Sequence, residues 1–270
     1  LLAQQKLTAG TAIEETTGDR IEDVLDMASV DWPVDDRRID TGQSTLGSAV
    51  LDGSENALSY LQEVELSEIG GSLFISREGY LTFKDRLATP QVDGAILFSD
   101  TSDGIPFTNI EVEYGTENLY NRVTVTSPAG TAIADDTISQ NLYGISEESF
   151  STLLSDTDQL DAAATFLLDR YSDPVLRIDS LTVDMDAITQ AQRDAILELE
   201  LADLAEIKFT PNNVGAQIDK GQLIIGINHS ISVDSHRVQL KFAPAVLNNF
   251  IIGDADFGTI GVDADGVLAF

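Results

Sequence analysis

The stretch SENALSYLQEVELSEIGGSLFISREGYLTFKDR, residues 54–86, decides the first part of the fold. Its first half predicts a helix, because apolar residues recur there at helical spacing. The residues of this stripe are Ala57, Leu58, Leu61 and Val64. Ser54 is the candidate N-cap, and Gly70-Gly71 is the candidate C-terminal cap.

The second half of the same stretch predicts a β-hairpin. Two short apolar runs, 73–75 and 80–83, flank a turn at Arg77-Glu78-Gly79. Helix, glycine pair, strand, turn and strand together predict a compact α/β unit.

The rest of the chain predicts two more helices and many strands. One helix covers 18–30 and stops before Trp32-Pro33, and the other covers 156–171 and ends before Pro174. Strands are predicted at 110–114, 121–126, near Ile133 and Ile138, and at 176–183, 205–209, 222–232 and 237–242. The last two runs predict a hairpin that turns at Asp234-Ser235. The predicted class is α+β, mainly β, and the order helix-then-strand at 54–76 and at 156–184 indicates two α/β modules.

Composition excludes several classes of protein. The 270 residues include 15 Lys and Arg against 46 Asp and Glu, which gives a formal net charge of −31. Apolar residues make up 43% of the chain, too many for intrinsic disorder. The sequence has no apolar run long enough to span a membrane and no basic patch for nucleic-acid phosphates. It also lacks cysteine, which excludes disulfides and thiolate chemistry.

The acidity itself has two readings. Few cations are available to pair with the carboxylates, so most of these must lie on a solvated surface. Such a surface suits a salt-tolerant or marine protein. It equally suits the wall of a conduit that must repel DNA, and composition does not separate the two.

A search for chemistry predicts no catalytic, cofactor-binding or metal-binding residues. The two histidines, His229 and His236, are expected on opposite arms of the last hairpin, and a polar pair explains them better than zinc ligands. Asp234 and Ser235 adjoin His236 on a tight turn and therefore do not form a catalytic triad with it. The C-terminal acidic tract is the best calcium candidate, but its spacing does not meet that of a calcium loop. It comprises Asp254, Asp256, Asp263 and Asp265.

Residues 19–86 resemble the minor tail and tail-hub proteins of long-tailed bacteriophages. The resemblance rests on the pattern ALxxLQ, then an acidic Ser-Glu, a glycine pair and the hairpin LFxxxxGxLxFxxR. The matching residues are Ala57, Leu58, Leu61, Gln62, Ser67, Glu68, Gly70, Gly71, Leu73, Phe74, Gly79, Leu81, Phe83 and Arg86. Later stretches extend it to nearly the whole chain: NRVTVT, FLLDRYSDPVLRIDSLTVD, IIGINHSISVDSHRVQLKFAP and FGTIGVDADGVLAF.

The resemblance implies barrel-like β domains with inserted α/β modules. The expected division has five segments, with the boundaries near Pro90 and Gly144 set in polar, Gly-containing connectors. The segments are an exit segment of a missing upstream domain (1–17), an α/β hub module (18–90), a β domain (91–145), a second α/β module (146–200) and a C-terminal β domain (201–270). The exit segment agrees with a first residue that is leucine, the only methionines being Met27 and Met185.

The resemblance also implies a structural role and no enzymatic activity. Proteins of this family form a ring, commonly a homotrimer, at the distal end of the tail tube. They contact the distal tail protein, the tape-measure protein and tip or fibre proteins. The expected location is the tail of the virion. No cofactor, membrane span or sequence-specific nucleic-acid binding is expected.

Subunit contacts are expected to use exposed apolar side chains. The candidates are Trp32, Phe107, Tyr114, Tyr120 and Phe270, with core packing as the other explanation of each. Two further functions stay open: a carbohydrate-active virion domain with paired carboxylates, and a calcium-dependent or carbohydrate-binding module that attaches to the host surface.

Overall fold

The computed structural model of the chain describes residues 2–88, 95–114, 119–174, 176–211 and 216–244. Helices and strands are mixed and strands predominate, which confirms the predicted α+β, mainly β class. The helices are α1 (Thr17–Asp26), α2 (Ala57–Ser67), α3 (Thr137–Tyr143), α4 (Thr157–Tyr171) and α5 (Gln190–Leu197). The strands are β1 (Gly10–Ala12), β2 (Glu15–Thr16), β3 (Arg37–Ile39), β4 (Thr45–Leu46), β5 (Ala49–Leu51), β6 (Ser72–Ile75), β7 (Leu81–Lys84), β8 (Ile96–Ser99), β9 (Asn109–Tyr114), β10 (Arg122–Ser127), β11 (Gly130–Asp135), β12 (Glu147–Ser151), β13 (Leu176–Asp184), β14 (Leu204–Phe209), β15 (Ile218–Ile231) and β16 (His236–Pro244).

Buried apolar side chains form three clusters in the described residues. The N-terminal core comes from residues between 2 and 83. The sheet core comes from residues between 98 and 242, and the inserted core from residues between 123 and 168. Because the inserted core lies between β9 and β13 in the chain, the sheet core is assembled from two separate chain segments.

The N-terminal core joins α1, α2 and a sheet of order β3-β7-β6. The predicted hairpin is confirmed as β6 and β7, with Gly79 in the turn at φ +92°. That conformation favours glycine because it is strained for residues with a Cβ. The buried faces of α2 and β7 contribute Leu61 and Phe83, which are almost fully excluded from solvent.

The ends of the first two helices differ from the prediction. Ser54 is wrong as the N-cap of α2, since Asn56 caps it with a side chain that accepts from Ser59 N at 2.8 Å. The helix ends at Ser67, so Gly70-Gly71 lies beyond it and not at its cap. Helix α1 is shorter than the predicted 18–30 and ends at Asp26.

The sheet core packs on a six-stranded sheet of order β8-β14-β15-β16-β13-β9. Strands β15 and β16 confirm the predicted last hairpin. In β13 the register shifts between Ile178 and Ser180. This β-bulge explains why the buried residues Ile178 and Leu181 are three positions apart, which strict alternation does not allow. Helix α5, which was not predicted, adds Ile196 to this core.

The inserted core consists of a three-stranded sheet, order β11-β10-β12, covered on one face by α4. The predicted strand near Ile138 is wrong, because Ile138 lies in α3, whose N-cap Asp136 accepts from the amides of Ile138 and Ser139. A chain division between 145 and 146 falls inside this sheet, since β10 pairs with both β11 and β12. The five-segment division as a whole stays a prediction.

Candidate functional site

Hydrogen bonds are numerous where the N-terminal core meets the inserted core. We call this region the junction: residues 67–71 at the end of α2 and just after it, the loop 41–47, and residues 153–159 before and within α4. An isolated antiparallel β-bridge joins Leu46 to Leu154, and Gly47 N donates to Leu153 O at 2.8 Å. The two cores are therefore joined by main-chain hydrogen bonds as well as by side chains.

Glu68 is the central residue of the junction and is fully buried. Its Oε2 accepts three hydrogen bonds, from Thr17 Oγ1 at 2.8 Å, Gln43 N at 3.1 Å and Ser44 N at 2.8 Å. The carboxylate thereby fixes the loop 41–47 against the start of α1. A buried carboxylate needs such donors, because desolvation without hydrogen bonds is costly.

The other oxygen of Glu68 faces a cation. Glu68 Oε1 accepts no hydrogen bond from the described residues and lies 3.7 Å from Arg86 Nε. The Arg86 guanidinium also donates to Ser44 Oγ at 3.4 Å. Residues 68 and 86, which both belong to the quoted sequence pattern, therefore form an ion pair that closes the junction from one side.

The two cores exchange side chains at this contact. Ile69, which follows α2, packs against the inserted core, and Leu153 packs against the N-terminal core. Ser67 Oγ accepts from Leu153 N at 2.8 Å. Thr45 N donates to Gln159 Oε1 at 3.0 Å. This exchange orients one core relative to the other.

A cavity of about 260 Å³ lies in the junction. Its lining is apolar on the side of α4 and polar on the side of the loop 41–47, and it comprises Ser44, Ser67, Ile69, Gly70, Arg86, Leu154, Gln159, Ala162, Ala163 and Phe166. Among these residues Arg86 carries the charge, and Ser44, Ser67 and Gln159 supply the neutral polar atoms.

A second feature is an exposed apolar surface, which we call the α3 ridge. It comprises Ile138, Leu142, Tyr143 and Ile145, each between 48% and 74% exposed. Solvent exposure of four such residues within eight positions favours a contact surface. In the sequence, the spacing of residues 138 and 142 is the only sign of this helical face.

The buried Asn121 fixes both ends of the α3 ridge. Its Nδ2 donates to Gly144 O at 2.7 Å and to Ser139 Oγ at 3.3 Å, and its Oδ1 accepts from Ser146 N at 2.8 Å. At the start of α3, the amides of Ser139 and Ile138 hold the pKa of Asp136 below its usual range. The ridge is therefore held on a fixed backbone.

The aromatic residues predicted as contacts lie elsewhere. Trp32 is half-buried against the N-terminal core, Phe107 against the sheet core, and Tyr120 against the inserted core. The side chain of Tyr114 and all of Phe270 lie outside the described residues. The three described aromatics thus serve core packing, and the exposed apolar side chains are mostly aliphatic.

The predicted positions of the histidines are confirmed, with His229 and His236 on opposite arms of the β15–β16 hairpin. Within the described residues, no group of three or more His, Cys, Asp or Glu side chains is placed to hold a metal ion. The calcium candidate, 254–265, lies outside them. Every helix in the described ranges is too short or too polar to cross a bilayer.

Comparison with known proteins gives a result only at the level of structure. No family model matches the chain, and no curated protein sequence matches it. A tail protein from Neisseria meningitidis MC58 superposes with a TM-score of 0.58 at 14% identity, over 89% of this chain and 70% of that chain. The 43 kDa tail protein of prophage MuSo2 from Shewanella oneidensis superposes with a TM-score of 0.57 at 13% identity, over 90% and 68%. A chain from the virion of the native gene transfer agent particle superposes with a TM-score of 0.57 at 13% identity, over 86% and 49%.

Each of these superpositions spans at least 86% of the chain. The chain has the fold of phage tail proteins, and the predicted resemblance is confirmed at the level of the fold. Of the residues that carried the resemblance, Leu61, Leu81 and Phe83 lie in the N-terminal core, and Ser67, Glu68 and Arg86 lie at the junction.

Proposed function

We propose that this chain is a structural component of a bacteriophage tail, located in the virion at the tail tip or baseplate hub. In this role it forms a ring at the distal end of the tail tube and attaches tip or fibre proteins. It catalyses no reaction. Its activity consists of presenting fixed surfaces to copies of itself and to neighbouring tail proteins.

One observation carries the proposal: the fold of two solved tail proteins extends over 89% and 90% of this chain. Fold alone is compatible with many functions, so the surface must be consistent with the role. The α3 ridge exposes apolar side chains on a backbone fixed by Asn121. A rigid exposed apolar surface suits assembly, because little conformational entropy is lost when it is covered.

The proposed partners follow from the same role. We expect a homotrimer as the ring, with the distal tail protein, the tape-measure protein and tip or fibre proteins as neighbours. The net charge of −31 suits a tube wall that repels DNA passing through it. Acidic surfaces of identical copies also repel one another, so contacts between copies need apolar or cation-bearing patches.

Mass photometry of the full-length protein, together with imaging of the particle that carries it, tests this role. We expect a closed ring of a few copies in solution, or the protein at one end of the tail in the particle. A protein that is monomeric at all concentrations and absent from particles contradicts the proposal.

A pair of variants tests whether the α3 ridge contributes to assembly. We expect Ile138→Ser combined with Leu142→Ser to reduce the fraction of assembled protein and leave the melting temperature nearly unchanged, because both side chains are exposed. The matched control is Val50→Ser, which removes a side chain that is 83% exposed and lies outside the ridge. An equal loss of assembly in the control assigns the effect to general surface hydrophobicity.

A further inference from the structure

The only two histidines of the chain touch each other at the exposed end of the β15–β16 hairpin. His229 Nδ1 lies 3.0 Å from His236 Nε2, and the two ring centroids are 5.3 Å apart. Neither histidine lines the cavity of the junction.

The distance between the two nitrogens matches that of a chelating pair. Imidazole nitrogens bind divalent transition metals at about 2.1 Å, and two of them at a right angle are then about 3.0 Å apart. A tetrahedral angle would require about 3.4 Å with the same bond length. The observed 3.0 Å is also the length of a hydrogen bond between the rings, and it lies within reach of both geometries. Among divalent first-row metals, nitrogen sites bind Ni²⁺ and Cu²⁺ more tightly than the ions that precede them in the series.

The backbone holds the pair in place. His236 N donates to Asp186 Oδ2 at 3.2 Å, and His236 O accepts from Met185 N at 2.9 Å. His229 is held by the ladder of the hairpin, in which it is opposite Val238. Both rings are thus attached to ordered backbone, so little entropy is lost when a metal binds.

The electrostatic surroundings favour a cation. The chain carries 46 carboxylates against 15 Lys and Arg, and Asp186 lies beside His236. Asp234 is in the turn of the hairpin, and Arg237 follows His236 on β16. Metal binding at such a pair needs a neutral imidazole, whose unprotonated nitrogen has a lone pair to donate.

We propose that His229 Nδ1 and His236 Nε2 form a two-histidine site that chelates one divalent transition-metal ion of the Cu²⁺ and Ni²⁺ class. No third His, Cys, Asp or Glu side chain of the described residues joins them, so water completes the coordination. Each ring keeps its proton on the other nitrogen, His229 on Nε2 and His236 on Nδ1. Binding therefore displaces the hydrogen bond between the rings. This site is independent of the proposed tail role.

Calorimetric titration of the full chain with NiCl₂ tests the site, in a non-coordinating buffer that contains excess Mg²⁺. Magnesium occupies carboxylate sites and competes poorly for imidazole, which separates the histidine pair from the acidic surface. We expect one Ni²⁺ per chain. Binding should weaken as the pH falls, because protonated imidazole has no lone pair to give.

The variants His229→Gln and His236→Gln should each abolish the one-to-one binding isotherm. The matched control is Asn228→Ala, which changes the exposed neighbour of His229 and removes no imidazole; it should bind Ni²⁺ as the unaltered chain does. Circular dichroism confirms that each variant is folded. The absence of a one-to-one isotherm in the unaltered chain, or its persistence in either histidine variant, overturns the proposal.

A second measurement observes the rings directly. Ni²⁺ is paramagnetic, and the chain has two histidines, so the imidazole proton resonances in its NMR spectrum come from these two residues alone. Both sets should broaden together at sub-stoichiometric Ni²⁺. Broadening of one set only contradicts a shared site.

Discussion

Two helix–strand units of the chain look alike in sequence and differ in structure. In the first unit, α2 and the β6–β7 hairpin share the N-terminal core. In the second unit, α4 packs on β10 and β11 in the inserted core, whereas β13 enters the six-stranded sheet and the sheet core. A helix followed by a strand is therefore one module in the first case and the boundary between two cores in the second.

The difference has its origin in the strands that are available as partners. Strand β6 pairs with β7, which comes only five residues later. Strand β13 pairs with β16 and with β9, both distant in the chain. Local pattern thus predicts a strand, and partners that are far apart in sequence decide which core it joins.

The largest expected effect comes from Glu68, which follows the helix of the first unit and holds the loop 41–47 that contacts the second unit. Glu68→Ala removes the acceptor of three hydrogen bonds, and each unsatisfied buried donor costs about 1–3 kcal/mol. We expect the free energy of unfolding to fall by about 3 kcal/mol or more, measured by urea denaturation.

Two further variants control for the charge and for the helix. Glu68→Gln keeps one carbonyl oxygen as acceptor and should cost less than Glu68→Ala. Glu63→Ala changes an exposed carboxylate on the same helix and should shift stability by no more than about 0.5 kcal/mol. Equal effects of Glu68→Ala and Glu63→Ala would show that the junction does not depend on this carboxylate.

A matched pair of leucines tests whether the two helices belong to separate cores. Leu61 in α2 and Leu160 in α4 are both fully buried, and Leu→Ala at such sites costs about 2–5 kcal/mol. Hydrogen exchange should show that Leu61→Ala loosens mainly residues of the N-terminal core, and Leu160→Ala mainly those of the inserted core. Loss of protection in β13 as great as that in β10 after Leu160→Ala would contradict the separation.

A matched pair of serines sharpens the same comparison. Ser67 Oγ bonds Leu153 N across the junction, whereas Ser139 Oγ bonds Ser172 O within the region of the inserted core. Each Ser→Ala leaves a buried group unsatisfied, which costs about 1–3 kcal/mol. Amide hydrogen exchange should become faster on both sides of the junction in Ser67→Ala. In Ser139→Ala it should become faster near α3 and α4 alone.

The smallest expected effect is opposite pH dependence in the two units. Burial raises the pKa of Glu65 on α2, so its contribution to stability is present at low pH and is lost as pH rises through its folded pKa. The Gln159 side chain and amide lower the pKa of Asp156, the N-cap of α4. Its contribution is present above an unfolded pKa of about 3.9 and is lost as pH falls through the folded pKa.

Denaturation of Glu65→Gln and Asp156→Asn at several pH values checks these signs. We compare the free energy of unfolding of each variant with that of the unaltered chain. For Glu65→Gln this difference should be more favourable at neutral than at acidic pH, because a buried charge has been removed. Asp156→Asn should lose most stability at neutral pH and little stability at acidic pH. The same sign for both variants would contradict the assignment.

Much of the local structure could be predicted from the sequence. The hairpins at 72–84 and 218–244 follow from apolar runs around turn residues, and α4 follows from one continuous apolar stripe. The predictions of helix ends and of one strand were wrong where polar side chains cap a helix. Asn56, and not Ser54, caps α2, and Asp136 makes a helix of the segment that contains Ile138.

The sequence indicated some residues of the junction but not their contacts. Ser67, Glu68, Gly70, Gly71 and Arg86 stood out as parts of a pattern, but nothing in the pattern indicated what they hold. Their partners, such as Ser44 and Leu153, are separated from them by 23 or more positions, and their own neighbourhoods carry no distinguishing motif. The α3 ridge was missed because seven residues are too few to show clear periodicity.

The sequence by itself determined the class of the fold, the strongly acidic surface and the position of most strands, because these depend on composition and on periodicity within about ten residues. Only the tertiary structure decided how the chain divides into cores, what Glu68 binds, and that His229 meets His236 at bonding distance. Those outcomes depend on strand pairing between distant segments, and the free energy of such pairing comes from contacts that no local window contains.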